Sequence, residues 1–218
     1  MRILVTNDDG IKHPNIKILV ETLLKYFNKE DITVVAPAVE QSAVSHRIEI
    51  KREVNVTRID DLVEGVETYM VDSTPSDCVI YSLYKLNKSF DLVISGVNDG
   101  VNLGMDIIYS GTVAAAMEAR HQGIASIALS NTMYSIEGFK KYEELVFNFY
   151  FKNFEKLKHM TLNINIPEQL KGIKVCPQYK GMDAGDVQYF KAGYMTITPL
   201  ENDFTDFSNI DNLNKLVK

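Results

Sequence analysis

The chain has 218 residues, a formal net charge of −6 and 45% hydrophobic residues. That length suits one globular domain with a substantial core and room for an appendage. The acidic balance, without a basic run or aromatic-basic patch, excludes a nucleic-acid polymer as the expected partner. No apolar run approaches the ~18 residues of a membrane span.

Arg2 to Gly10 (R-I-L-V-T-N-D-D-G) is an apolar run that ends abruptly in Asn7, Asp8 and Asp9. Ile3 to Val5 are too uniformly apolar for a half-buried strand and read as a strand covered on both faces, as in a parallel sheet. Pro14 opens an amphipathic helix with Ile16, Leu19, Val20, Leu23, Leu24 and Phe27 at helical spacing. Ile32 to Ala36 is a second buried strand, so the segment is a βαβ unit with a right-handed crossover. The start of the chain goes straight into this unit with no secretory leader pattern, and Cys78 and Cys176 lack a partner motif. A cytoplasmic location is therefore expected.

Pro37 to Ser45 forms a loop at the carboxyl end of the second strand. His46 to Ile59 alternates polar and apolar residues and predicts an exposed antiparallel ribbon, followed by a turn over Asp60–Gly65 and a strand over Thr68–Val71. Ser73 or Thr74 caps a helix beginning at Pro75. Asp91 to Ser95 is a third buried strand running into a Gly- and Asn-rich loop. Tyr109 to Thr112 (Y-S-G-T) starts the next helix, and Ala114 to Ala116 are small enough for close packing on the sheet. A strand over Ile124–Leu129, a helix over Glu137–Leu157 and a strand over Thr161–Ile166 follow. The remainder predicts strands at Ile173–Cys176 and Tyr194–Thr198 and a last helix from Ile210. The fold class is α/β: three layers, Rossmann-like, mostly parallel, with helices on both faces, a β-ribbon at about 46–72 and a short C-terminal extension. The expected division is an α/β core over 1–167 and an extension over 168–218.

Three strand ends thus carry polar loops: Asn7-Asp8-Asp9, the loop with Ser42 and the loop with Asn98. In a doubly wound sheet these edges face one crevice. Adjacent aspartates repel unless a cation lies between them. Carboxylates, a hydroxyl and an amide are oxygen donors that suit Mg²⁺ or Mn²⁺ better than zinc. Ser110, Gly111 and Thr112 fall at a helix N-terminus, where free N–H groups favour a phosphate. Each piece has a structural alternative: N-D-D-G as a polar turn, Ser110 or Thr112 as a simple N-cap, Asn98 and Asn102 as turn residues. His46 could act as a proton carrier, but the favoured reading is a surface histidine opening a strand.

Together these stretches resemble the SurE family of stationary-phase survival proteins, metal-dependent nucleotide phosphatases. The resemblance rests on I-L-V-T-N-D-D-G, A-P-A-V-E-Q-S-A, S-T-P-S-D-C-V, and the run from Asp91 to Glu118 that includes S-G-V-N-D-G-V-N-L-G-M-D and Y-S-G-T-V-A-A-A-M-E. L-N-I-N-I-P and G-Y-M-T-I-T-P-L add to it. It implies one divalent cation per subunit (Mg²⁺ or Mn²⁺) on Asp8, Asp9, Ser42 and Asn98, with Asp8 and Asp9 catalytic. It implies phosphate contacts from Asn98, Asn102, Ser110, Gly111 and Thr112. The implied reaction is hydrolysis of nucleoside 5′-monophosphates, extending to 3′-monophosphates and short polyphosphate.

Other enzyme classes lack their marks: there is no Asp-x-Asp after the first strand, no G-x-G-x-x-G and no G-x-x-x-x-G-K-[ST]. The remaining rival is a nucleotide-binding regulatory protein of the same fold. In the family a long β-hairpin leaves the C-terminal region and reaches neighbouring subunits. Here the interval from Tyr179 to Ala192 is short. At ~3.3 Å per residue, arms of about five or six residues extend only about 20 Å. Gly181, Asp183 and Gly185 look like turn rather than arm. The expectation is a homodimer without hairpin-swapped tetramers and a cleft with weak base discrimination.

Overall fold

The computed structural model of the protein describes residues 1–132, 134–179 and 184–217. In chain order the first strands are β1 (Ile3–Thr6), β2 (Ile32–Pro37), β3 (Val56–Ile59), β4 (Glu67–Val71) and β5 (Leu92–Asp99). Then come β6 (Ala125–Asn131), β7 (Thr161–Ile166), β8 (Gly172–Val175) and β9 (Tyr194–Leu200). The helices are α1 (Pro14–Leu23), α2 (Pro75–Tyr84), α3 (Gly111–His121), α4 (Glu137–Lys152), α5 (Phe154–Leu157), α6 (Gly185–Lys191) and α7 (Phe207–Leu216).

The strands form one sheet in the order β3-β4-β2-β1-β5-β6-β7-β9-β8. Pairing is parallel from β4 across to β7 and again between β8 and β9. It is antiparallel at β3–β4 and β7–β9. β1, β2, β6 and β7 are buried along their whole length, as their unbroken apolar or small-residue runs require of a sheet covered on both faces. Alternate side chains separate the two covers. Ile3 and Val5 pack with α1 and α4, whereas Leu4 packs with Cys78 and Val79 of α2 and Ala115 and Ala119 of α3. The chain leaves β1 for β2 on one side and later returns to β5 on the other. The reversal of strand order therefore falls between β1 and β5, where an open α/β sheet offers a crevice at the carboxyl ends.

The α/β architecture with a mostly parallel sheet is as expected, and four local expectations change. The ribbon over 46–59 reduces to β3: residues 46–55 form no ladder, because side chains take their backbone groups. The N–H of Glu49 goes to Asp77, that of Asn55 to Asp72, and the carbonyl of Arg47 accepts from the Thr74 hydroxyl. The helix from Glu137 breaks at Asn153, whose side-chain amide donates to the Phe149 carbonyl at 2.8 Å and so competes with the helical bond pattern. The last helix starts at Phe207, because Asp206 caps it by accepting the Ser208 N–H. Where a short hairpin was expected after Tyr179, the structure has helix α6, with Gly185 as its first residue; Gly181 and Asp183 lie outside the described residues. Among the described residues no helix is long and apolar enough to cross a membrane.

Candidate active site

Asp8 leaves β1 buried, and its carboxylate rests on the N-terminus of α3. It accepts the Thr112 backbone N–H at 3.0 Å and the Thr112 hydroxyl at 2.5 Å. Gly111 makes that approach possible, since a Cβ there would lie 2.9 Å from the Asp8 Cβ and 3.1 Å from the Pro75 Cγ. Ser110 is the N-cap of α3 and accepts the Val113 N–H at 3.1 Å. The positive end of α3, which favours an anion, thus already faces a carboxylate of the chain itself. Ala115, Ala116 and Ala119 are fully buried and let α3 lie close against the sheet, which brings its N-terminus to the end of β1.

The neighbouring loops are tied to this pair. The Gln41 N–H donates to the Asp8 carbonyl at 2.7 Å, and the Ser45 N–H to the Tyr109 carbonyl at 2.9 Å. Together these bonds clamp the loop after β2 between β1 and the start of α3. The Asp99 N–H donates to the Asp9 carboxylate at 3.2 Å. β5 reaches this position through an irregularity between Ser95 and Asn98. Gly96 there has φ +139°, and a Cβ would lie 2.4 Å from the Leu129 carbonyl oxygen, so only glycine fits.

These elements enclose a cleft of about 860 Å³. Asp8, Asp9, Ser42, Asn98, Asn102 and Ser110 all line it, as the three-loop reading anticipates. Gly111 and Thr112 do not line it; they stand behind Asp8. Asn98 gives its amide N–H to the Gly100 carbonyl at 2.7 Å, and no described donor reaches its side-chain oxygen. The Ser42 hydroxyl donates to Glu40 at 2.6 Å. Asn102 is locked from below. Its N–H goes to Asn165, its side-chain amide to Ser130, and its carbonyl accepts from Asn163 and Asn165. His46 belongs elsewhere: it lines a neighbouring, mainly apolar groove and bonds to Glu118 at 2.8 Å.

Glu40, Asp99 and Asp106 line the same cleft, and none of its described lining residues is Lys or Arg. This crowding has electrostatic consequences. Burial, then the charge of Asp8, then Asp99 and Glu40 push the Asp9 carboxyl up to about 7. Burial also raises Asp8, against the opposing pull of its Thr112 hydrogen bonds. Sequence reasoning missed Glu40 and Asp99, although both lie inside quoted motifs, because a carboxylate in a loop carries no sign of which way it faces. It also missed Asn163 and Asn165, for which a signal existed: two asparagines on one face of a fully buried strand need a polar partner.

No three Asp, Glu, His or Cys side chains converge on a point among the described residues. A cation in this cleft would therefore rest on the Asp8–Asp9 pair, completed by neutral oxygens and water. The donor set fits: two carboxylates, the open Asn98 side-chain oxygen and the Ser42 hydroxyl are hard oxygen ligands of the kind Mg²⁺ takes while keeping waters.

The family model described as "Survival protein SurE" matches residues 3–184. The curated protein "5′-nucleotidase SurE" of Campylobacter jejuni subsp. jejuni serotype O:23/36 (strain 81-176) is 37% identical over 257 aligned residues, covering 99% of this chain and 97% of that one. The protein of the same name from Clostridium botulinum (strain Alaska E43 / Type E3) is 34% identical over 255, covering 99% of each. Both alignments are longer than this chain of 218 residues, so those relatives carry segments it lacks. The crystal structure of the SurE protein from Aquifex aeolicus superposes with a TM-score of 0.85 at 31% identity, covering 100% of both chains. With a profile match over most of its length, relatives above 30% identity and the same fold around the Asp8–Asp9 cleft, this chain belongs to the SurE family.

Proposed function

We propose that this chain is a metal-dependent 5′-nucleotidase that hydrolyses nucleoside 5′-monophosphates to nucleoside and phosphate. One observation carries the metal requirement: the cleft is lined by five carboxylates and, among its described residues, by no lysine or arginine. A phosphomonoester dianion entering there faces five carboxylates with no lysine or arginine charge among the described lining residues to offset them, so a cation would enter with it.

Asp8, Asp9, Asn98 and Ser42 would hold the cation. When bound it neutralises phosphoryl charge and lowers the pKa of a ligated water. The remaining work falls to the chain. Thr112 fixes the orientation of Asp8, and the Asp99 N–H fixes that of Asp9. Ser110 uses its oxygen as the cap of α3, which leaves its O–H to donate to a phosphoryl oxygen. Asn102, held rigid by Asn163, Asn165 and Ser130, forms a preset wall against which the phosphate rests. These groups read the phosphoryl group rather than the ester oxygen that carries it. The same chemistry therefore extends to 3′-monophosphates and short polyphosphate. The protein would act in the cytoplasm as a homodimer.

Phosphate release from AMP, first in chelator and then with Mg²⁺ or Mn²⁺, tests the proposal. The expected result is turnover only with metal. Turnover that persists in chelator, or none with any divalent cation, overturns it.

A further inference from the structure

The phosphate half of the cleft is polar, but three aromatic side chains line the remainder: Tyr109, Tyr134 and Phe190. Tyr109 and Tyr134 expose 58% and 89% of their surface beside the cleft they line. None of the three rings pairs with another among the described residues, so no ring-ring contact of the chain occupies them. Tyr134 is also held with φ +59°, a left-handed backbone that a bulky residue adopts only under constraint, and its N–H is tethered to Asp99 at 2.6 Å.

Phe190 arrives by a different route. It lies on α6, the short helix that stands where a hairpin arm was expected. Asp186 of this helix is fully buried, and its carboxylate is held by backbone amides. It accepts the N–H groups of Gly104 at 2.9 Å, Tyr179 at 3.2 Å and Val187 at 2.9 Å. Gly104 begins the 3-10 turn Gly104–Ile108 that leads directly into Tyr109 and Ser110. Asp186 therefore fastens the helix carrying Phe190 to the segment carrying the phosphate-facing hydroxyl.

We propose that Tyr109, Tyr134 and Phe190 form the nucleobase platform of this cleft, with Asp186 as the positioning residue for Phe190. Bases would be gripped by stacking on these faces. Every base presents a π-face, so the platform accepts purines and pyrimidines alike. The proposal rests on the nucleotidase reading and adds the groups that hold the nucleoside end.

The chain contains no tryptophan, so Phe190→Trp places a single indole in the cleft. Its fluorescence should be quenched on mixing with AMP or CMP and left unchanged by ribose 5-phosphate, which has no base. In parallel, Phe190→Ala should raise KM for AMP and CMP about tenfold or more, with KM for ribose 5-phosphate and kcat for all three nearly unchanged. Asp186→Asn should reproduce that KM effect on base-bearing substrates alone. Equal effects on AMP and ribose 5-phosphate, or no quenching by nucleotides that the wild type hydrolyses, overturn the platform. Failure of the nucleotidase reading is recognised separately: the wild type then releases no phosphate from AMP with metal, whatever the indole reports.

Discussion

Thr112 commits both of its donors to one carboxylate, giving its N–H and its hydroxyl to the two oxygens of Asp8 at 3.0 and 2.5 Å. A residue expected to touch phosphate thereby becomes the support of a proposed metal ligand. Thr112→Val keeps the backbone bond and the shape but removes the hydroxyl. Partners of metal ligands typically matter about 10–100-fold in affinity or activity. Thr112→Val should therefore weaken Mn²⁺ binding by about tenfold in calorimetric titration and lower kcat/KM for AMP at subsaturating metal. Unchanged metal affinity would show that Asp8 does not depend on this support.

Gly111→Ala should be more damaging than its size suggests. The added methyl falls 2.9 Å from the Asp8 Cβ and 3.2 Å from one of its carboxylate oxygens, so Asp8 or the start of α3 must move. Activity should fall at least about tenfold, since small displacements of catalytic groups cost that much. Kinetics beside a thermal melt check this: near-wild-type turnover in the variant would mean the site tolerates a shift of Asp8.

The pH dependence of the metal-free protein follows from Asp9. Its carboxyl, pushed up to about 7 in the fold from an ordinary 3.8, binds its proton more tightly folded than unfolded. Its contribution to stability is fully present below the unfolded value and is lost as pH rises through about 7. In chelator, Tm should fall between pH 4 and pH 7 more steeply for the wild type than for Asp9→Asn. Added Mg²⁺ at pH 7.5 should restore the wild type but not the variant. Parallel pH profiles for the two proteins in chelator would refute the buried-charge account.

Assembly should stop at the dimer. α6 spans seven residues and is fastened to its own chain through Asp186, so it offers no arm to a neighbouring subunit. Light scattering at micromolar concentration should give a dimer mass, and a stable tetramer would contradict this.

Much of this was legible in the sequence because the informative residues are local. The uniformly apolar runs at Ile3 and Ile32 could only be strands buried on both faces, and polar residues after each had to collect at the carboxyl edge. Asp8, Asp9, Ser42 and Asn98 meet in one cleft for that reason. What was not legible depends on distant partners. Alternation over 46–59 predicted a ribbon, but over 46–55 Asp72 and Asp77, over 15 residues away, take backbone groups instead. Gly185 read as a turn residue, yet it opens α6, and the next residue, Asp186, is buried against amide donors from Gly104 and Tyr179 that no local pattern reveals. Thr112 was legible as a helix-start hydroxyl, but not as one already engaged by Asp8.

In the proposed mechanism Asp8 and Asp9 hold the cation on which hydrolysis depends. Phosphate release from AMP by wild type, Asp8→Asn and Asp9→Asn at saturating Mn²⁺ tests it most directly, with a thermal melt of each to establish folding. Loss of a bound cation removes several kcal/mol of transition-state stabilisation, so both variants should fold and lose roughly a thousandfold or more in rate. A folded variant that retains more than about a tenth of the wild-type rate would contradict the claim for that aspartate.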